Sequence, residues 1–179
     1  LAKLGNYLMK VGIVKYKQSG NIFSVYNSVN SLGVDVGFVK KISDFGKFDK
    51  LILPGVGYFN SAMDDLEKTG FDEKIKSFEG YMLGICLGMQ LFAEFGFEGG
   101  KRKGLGLIKG EVKKVYAEGP VPHMGFNDVK IQKKISSSLF QPKGIGPFYF
   151  MHSYEFVNYE SAVGLTDYCD HQFVSYVQK

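Results

Sequence analysis

Hydrophobic residues in the first half of the chain alternate between two spacings. Residues 11–16 form a short run rich in β-branched side chains, which is typical of a strand. The next apolar residues recur at i, i+3, i+4 and i+7, which places them on one face of a helix: Ile22, Val25, Tyr26 and Val29. The same succession recurs over residues 50–78 and 81–95. Because parallel strands need a crossover connection, usually a helix, this alternation predicts a mostly parallel sheet flanked by helices.

The first predicted helix carries signals at both ends. Asn21 or Ser19 is predicted to cap its N-terminus, since a side-chain oxygen at that position accepts from an unpaired backbone N–H. Gly33 is predicted to end the helix in the left-handed conformation, and residues 34–39 return to extended character.

From Gly104 onward the pattern changes. Short strand-like runs follow one another with little room for helices between them, at residues 104–115, 124–132, 147–157, 162–168 and 173–179. Strands joined by short connections pair antiparallel. The predicted fold class is therefore α/β, with three layers formed by a mostly parallel sheet flanked by helices and with an antiparallel extension of that sheet.

Length and composition fit one domain. A chain of 179 residues that is 45% hydrophobic can bury a substantial core without dividing into two domains. Met9 reads like a natural start, because a strand-like run follows it at once. We therefore interpret residues 1–10 as an extension or cloning remnant together with the start of the first strand, and residues 11–179 as a single domain.

Composition also argues against several classes of protein. No apolar run approaches the roughly 18 residues that a membrane-spanning helix needs, and the first residues lack the apolar segment of a secretion signal. Two cysteines cannot form a disulfide framework. The net charge of +4 is spread along the chain, whereas a nucleic-acid groove shows a dense basic stripe. We expect a cytoplasmic protein that binds neither nucleic acid nor membrane.

Cys86 lies at the centre of a Gly-x-Cys-x-Gly segment, between Gly84 and Gly88, where a predicted strand turns into a helix. This is the thiol counterpart of the Gly-x-Ser-x-Gly nucleophile elbow. The glycines leave space for the chain to reverse, and N–H groups at a helix start stabilise both a thiolate and an oxyanion. A buried structural cysteine is the alternative. The flanking glycines at this junction favour a catalytic nucleophile.

The segment from Gly84 to Gln90 resembles the nucleophile segment of class I glutamine amidotransferases, and its Leu-Gly-Met-Gln continuation is similar to that of the glutaminase subunit of imidazole glycerol phosphate synthase. Four further segments agree with this family in order, at residues 53–57, 104–108, 121–127 and 148–154. The resemblance covers nearly all of residues 11–179 and implies a flavodoxin-like, class I amidotransferase-like fold. It also implies that L-glutamine is hydrolysed through a Cys86 thioester without metal or organic cofactor. The ammonia would pass to a (β/α)8 cyclase subunit, held as a heterodimer, for histidine biosynthesis.

The same resemblance assigns further residues of the site. Val56 and Leu87 would supply the oxyanion hole through their backbone N–H groups. Substrate binding is assigned to Gly57, Gln90, Ser153 and Tyr154. Gln90 follows Cys86 by one helical turn and so projects from the same face. His123 is expected to be a hydrogen-bonded structural residue.

The proton carrier that thiol chemistry requires is not found in the sequence. The family supplies it from a His-Pro-Glu segment near the C-terminus, but the residues two places after the three histidines are Gly125, Tyr154 and Phe173. His152 and Glu155 are three apart, so on a regular strand they point to opposite faces. The final run, 173–179, corresponds to the family strand that leads to the missing segment. We therefore expect that the chain is truncated there and that residues 1–179 alone lack normal glutaminase turnover.

Three alternatives stay open. Residues 15–21 depart from the family pattern Tyr-Gly-x-Gly-Asn, which leaves room for a paralogous amidotransferase that supplies a nucleotide-sugar or surface-glycan synthase. The absent base leaves room for a subunit without catalytic activity. A cysteine hydrolase of another amide or ester would also use an elbow of this kind.

Overall fold

The computed structural model describes residues 9–131, 147–160 and 162–179. The chain divides into two compact units: unit 1 comprises Leu1–Phe92 with Gly104–Leu107, and unit 2 comprises Ala93–Lys103 with Ile108–Lys179. The interpretation of residues 11–179 as a single domain stays a prediction. The extension predicted at residues 1–8, and residue 132 of one predicted strand, lie outside the described residues.

Strands and helices alternate through unit 1 as the apolar spacing predicts. Its elements are β1 (Lys10–Val14), α1 (Ile22–Asn30), β2 (Asp35–Val39), a 3-10 helix (Ile42–Lys47), β3 (Lys50–Gly55), α2 (Phe59–Thr69), α3 (Phe71–Lys76), β4 (Tyr81–Cys86) and α4 (Leu87–Leu91). The four strands pair in parallel in the order β2-β1-β3-β4. The predicted parallel sheet is confirmed. In the strand–helix succession predicted over residues 81–95, the helix α4 ends at Leu91, earlier than predicted.

The ends of α1 follow the sequence signals. The Asn21 side chain caps the helix by accepting from the Ser24 backbone N–H at 3.2 Å. Gly33 follows the helix at φ 70°, in the left-handed region. Ser19, the other candidate cap, donates instead through its hydroxyl to the Tyr16 carbonyl. The helix buries Ile22 against the sheet residues Val11, Ile13 and Ile52.

The register of the parallel sheet determines which residues meet at its carboxyl edge. Gly55, the last residue of β3, lies opposite Cys86, the last residue of β4. Behind this edge, α2 and α4 bury Phe59, Met63, Leu66, Leu87 and Leu91 together with Leu53 of β3. The site residues therefore stand at the ends of the buried strand β3 and of the more exposed edge strand β4. In open parallel sheets this edge is where ligands bind.

Unit 2 is built from short strands. They are β5 (Phe95–Gly96), β6 (Arg102–Lys103), β7 (Glu111–Lys114), β8 (His123–Asn127), β9 (Lys130–Ile131), β10 (Phe148–His152), β11 (Tyr154–Val157), β12 (Ala162–Tyr168) and β13 (His171–Val177). Their orders are β10-β8, β11-β7-β5-β6 and β13-β12-β9, and every pair described is antiparallel except β5–β7. The predicted antiparallel strands are present, and they form three sheets of their own.

No helix in the described ranges has the length and apolar character that crossing a membrane requires.

Candidate functional site

Cys86 adopts a backbone conformation that residues other than glycine rarely take. It ends β4 and caps α4 with φ 53° and ψ −115°. Such conformations cost about 1–3 kcal/mol and persist only where the surroundings enforce them, often at functional sites. Cys86 therefore has the strained strand-to-helix geometry expected of a nucleophile elbow.

The two glycines of the elbow allow backbone segments to approach more closely than a side chain would permit. A Cβ placed on Gly84 would lie 2.6 Å from the backbone nitrogen of Met89. A Cβ placed on Gly88 would overlap the carbonyl oxygen of Leu53. Glycine is thus required at both positions for α4 to pack against the ends of β3 and β4.

The thiol of Cys86 is held in its protonated form. Cys86 is solvent-accessible and free of disulfide bonding, yet the surrounding protein displaces water, and this burial raises its pKa; the backbone N–H of Leu87 acts in the opposite direction by hydrogen bonding to the thiol. The helix start was expected to lower the pKa of Cys86 and so favour the thiolate; this expectation is wrong, because the net effect of the surroundings is to raise the pKa. Desolvation is the larger of the two effects, and the Leu87 hydrogen bond does not outweigh it.

The turn after β3 follows Gly55, which pairs with Cys86, and its Val56 N–H already has an acceptor. Gly57 has φ 94°, which a side chain would strain. The side chain of Val56 is 48% exposed, while its backbone N–H donates to the carbonyl oxygen of Gln18 at 2.8 Å. The two backbone donors assigned to the oxyanion hole are thus both engaged, Val56 with Gln18 and Leu87 with the thiol of Cys86.

The assigned site residues are divided between the two units. Unit 1 contains Cys86, Val56, Gly57, Leu87 and Gln90; unit 2 contains Ser153 and Tyr154. Gln90 is half-buried and lies in α4, as predicted. The Ser153 carbonyl accepts from the Val115 backbone N–H at 2.9 Å. Tyr154 is half-buried at the start of β11.

In unit 2, the buried His123 contacts the half-buried His152. His123 is 3% exposed, and its Nδ1 lies 3.2 Å from Nε2 of His152, whose own Nδ1 lies 3.0 Å from the Tyr154 carbonyl. A carbonyl only accepts, so His152 Nδ1 donates to it, and Nε2 of the neutral ring accepts from His123. Burial lowers the pKa of both rings, which keeps them neutral. This geometry supports the structural role expected of His123.

A second histidine contact was missed by sequence reasoning. Nε2 of His171 lies 2.8 Å and 2.9 Å from the two carboxylate oxygens of Glu155, which is 7% exposed. The residues are 16 apart in sequence, and no local spacing signals the pair. It is a histidine–carboxylate dyad within unit 2. Within the three described ranges, no cluster of three or more His, Cys, Asp or Glu side chains could hold a metal ion.

Comparison with known proteins relates the chain to one family. The family model described as "Glutamine amidotransferase class-I" matches residues 14–174. The chain is 40% identical to the imidazole glycerol phosphate synthase subunit HisH 1 of Campylobacter jejuni (strain RM1221), covering 94% of this chain and 86% of that protein. It is 39% identical to the imidazole glycerol phosphate synthase subunit HisH of Pelagibacter ubique (strain HTCC1062), covering 89% of this chain and 82% of that protein.

Solved structures of similar fold agree. A crystal structure of a glutamine amidotransferase superposes with a TM-score of 0.66 at 17% identity, covering 88% of this chain and 84% of the other. A Thermoplasma acidophilum protein described as a putative component of GMP synthase gives a TM-score of 0.65 at 19% identity over 97% of this chain and 81% of the other. At these identities the likeness establishes the fold alone.

Proposed function

The chain belongs to the class I glutamine amidotransferase family, and on that premise we propose that Cys86 is the nucleophile with which it hydrolyses L-glutamine. The chain is an enzyme, the glutaminase of an imidazole glycerol phosphate synthase of the HisH type, which acts in histidine biosynthesis. The observation that carries the assignment of Cys86 is its strained elbow between two close-packed glycines. Cys169, the other free cysteine, also has φ 53°, but it lies in the turn between β12 and β13 and has no glycine two places to either side, so the close-packed glycines distinguish Cys86.

The reaction proceeds by covalent catalysis. The sulfur of Cys86 attacks the side-chain amide carbon of glutamine, the oxyanion collapses with release of ammonia, and water then cleaves the thioester to glutamate. Because burial keeps the thiol protonated, attack requires a base that takes the proton from Sγ. In the family a histidine oriented by a glutamate performs this step from a His-Pro-Glu segment, which the sequence 1–179 does not contain.

Val56 and Leu87 are the proposed oxyanion donors. Gly55 lies opposite Cys86 in the sheet, which supports placing the Val56 peptide beside the reacting carbonyl. The Val56 N–H donates to Gln18, so it must exchange that acceptor for the oxyanion during turnover. Gly57, Gln90, Ser153 and Tyr154 are proposed to bind the glutamine.

The partner is proposed to be a (β/α)8 cyclase subunit that receives the ammonia, with the two subunits forming a heterodimer. Support comes from the curated relatives, whose names describe them as subunits of imidazole glycerol phosphate synthase. The same names favour this synthase over a paralogous one that makes nucleotide sugars or glycans. Cytoplasmic location is part of the proposal.

The test uses the full-length gene product together with its cyclase partner and measures glutamate formation from glutamine. Cys86→Ser is expected to lower kcat by at least about a thousandfold, as loss of a covalent nucleophile does. Cys169→Ser is the matched control, because Cys169 is the other free cysteine and is also exposed. Parent-like turnover by Cys86→Ser would show that the nucleophile is wrongly assigned. Partner-independent hydrolysis of an unrelated ester would favour the cysteine-hydrolase alternative.

A further inference from the structure

Tyr16 connects the end of β1 to the turn that carries Val56. It lies two residues after the last residue of β1 and is 7% exposed. Its phenol O–H donates to the carbonyl oxygen of Pro54 at 2.8 Å, in a buried hydrogen bond. Pro54 lies within the last residues of β3, two positions before Val56. The phenol therefore supports the backbone immediately before the proposed oxyanion donor.

The phenol oxygen also fills the space beside Gly55. A Cβ placed on Gly55 would overlap this oxygen and would lie 3.0 Å from the Leu87 Cβ and 3.1 Å from the Gly88 nitrogen. Gly55 is the residue paired with Cys86. The hydroxyl of Tyr16 thus lies where the end of β3 meets the elbow.

The backbone of Tyr16 is fixed on its C-terminal side. The backbone N–H and the hydroxyl of Ser19 both donate to the Tyr16 carbonyl, at 3.1 Å and 2.7 Å. The N–H of Lys17 donates to Oδ2 of Asp65, in α2, at 2.8 Å. The Tyr16 ring therefore projects from a backbone segment that these hydrogen bonds hold in place.

The phenol remains a donor across the neutral range. Burial raises its pKa well above the ordinary value of tyrosine, and negative charge on Cys86 and then on Asp65 raises it further. A protonated hydroxyl can donate to Pro54 throughout catalysis.

We propose that Tyr16 is a positioning residue of the thiol site, which fixes the Pro54 carbonyl and thereby orients the Val56 peptide relative to Cys86. The inference rests on the proposed function. Gly55 has no side chain to restrict its torsions, so the peptide that follows it would otherwise sample many orientations. The Val56 N–H is held by the Gln18 carbonyl in this structure; the hydrogen bond at Pro54 and the phenol packed against Gly55 restrict the peptide from the other side and remain in place when the Val56 N–H leaves Gln18 for the oxyanion. Tyr16 acts through the backbone and does not contact the reacting atoms.

Tyr16→Phe removes only the hydroxyl and leaves the Pro54 carbonyl without its donor. In the assay with the cyclase partner, we expect kcat to fall about tenfold, while KM for glutamine stays within about twofold. The pH profile of Cys86 alkylation should match that of the parent, because a neutral phenol does not change the charge near the thiol. Tyr26→Phe is the matched control, since Tyr26 lies in α1 and stacks on Phe38; its kinetics should equal those of the parent.

A Tyr16→Phe protein with kcat within twofold of the parent overturns the inference, as does a parallel loss of turnover and alkylation, which indicates general disruption. If Tyr16→Phe does not fold, Gly55→Ala provides the measurement, since its methyl displaces the phenol oxygen. Parent-like kcat there overturns the inference, and so does a loss of Cys86 alkylation alongside kcat, because the methyl also approaches Leu87 and Gly88 and would then have disrupted the elbow itself. The parent and Cys86→Ser are assayed alongside. An inactive parent or an active Cys86→Ser contradicts the proposed function itself. If the parent is active and Cys86→Ser is inactive, the proposed function stands, and a negative result with Tyr16→Phe contradicts only the role of Tyr16.

Discussion

The strain at Cys86 can be measured by comparing Cys86→Gly with Cys86→Ala. Both substitutions remove the thiol, and both leave a small apolar residue at the end of β4. Only glycine adopts φ 53° and ψ −115° without steric conflict, because alanine retains the Cβ that disfavours this region. The difference in stability between the two variants therefore isolates the backbone strain from the loss of sulfur contacts.

The expected magnitude follows from two opposing contributions. Alanine in such a conformation costs about 1–3 kcal/mol. Glycine avoids that cost but loses roughly 0.5–1 kcal/mol more conformational entropy on folding. The glycine variant should thus be more stable than the alanine variant by about 1.2 kcal/mol, the difference between the midpoints of the two ranges. For a chain of 179 residues, this difference corresponds to a Tm higher by about 2–5 °C.

Scanning calorimetry of the two variants at one pH and protein concentration measures the difference, with circular dichroism to verify equal secondary structure. Ser28 in α1 provides a control of opposite sign, because an exposed helical site favours alanine over glycine by about 1 kcal/mol. An alanine variant at Cys86 that melts at or above the glycine variant would refute the reasoning, since the elbow would then carry no strain that glycine relieves.

Three further predictions concern packing and pH. Gly88→Ala should lower the free energy of unfolding by at least about 2 kcal/mol in urea titrations, because its methyl would overlap the Leu53 carbonyl; a change below about 0.5 kcal/mol would contradict the close approach. Alkylation of Cys86 by iodoacetamide, followed in a Cys169→Ser background, should have its midpoint above the ordinary cysteine pKa of about 8.5, and a lower midpoint would contradict the dominance of burial. Burial lowers the pKa of His123 and His152, so the unfolded chain takes up protons first as the pH falls below about 6.5. Stability present above that pH should decline toward pH 5, and the decline should be smaller in His152→Gln.

The parallel half of the fold could be predicted because its signals are local. Apolar spacing located β1, α1, β3 and β4, and the Asn21 cap and Gly33 marked the ends of α1. The length of α4 could not be predicted. The carbonyls of Leu91 and Phe92, at its C-terminus, accept from the N–H groups of Leu105 and Leu107 at 2.8 Å and 2.9 Å. Because these partners are distant in sequence, they replace the hydrogen bonds that further helical residues would have donated, and the helix ends there.

The candidate site shows the same division between local and distant determinants. The turn at Cys86 could be predicted from the glycines two positions to either side of it. The acceptor of the Val56 N–H and the pairing of His171 with Glu155 depend on segments brought together by folding, so no spacing in the sequence signals them. The predicted direction of the Cys86 pKa shift was wrong for a related reason. The shift is dominated by desolvation, which depends on how neighbouring elements pack around the thiol.

The glycines around the thiol lie on two segments, the end of β3 and the elbow, and together they allow these segments to pack closely. Gly88 rests on the Leu53 carbonyl, and Gly55 contacts Leu87 and Gly88, so each segment requires the absence of a side chain in the other. These contacts and the buried Leu87 hold the helix start close to β3, and this confinement enforces the unfavourable torsions of Cys86. A Gly-x-Cys-x-Gly pattern alone predicts a permissive turn. Combined with a glycine at the end of the neighbouring parallel strand, it predicts a constrained one, and constraint is what fixes the sulfur toward its substrate.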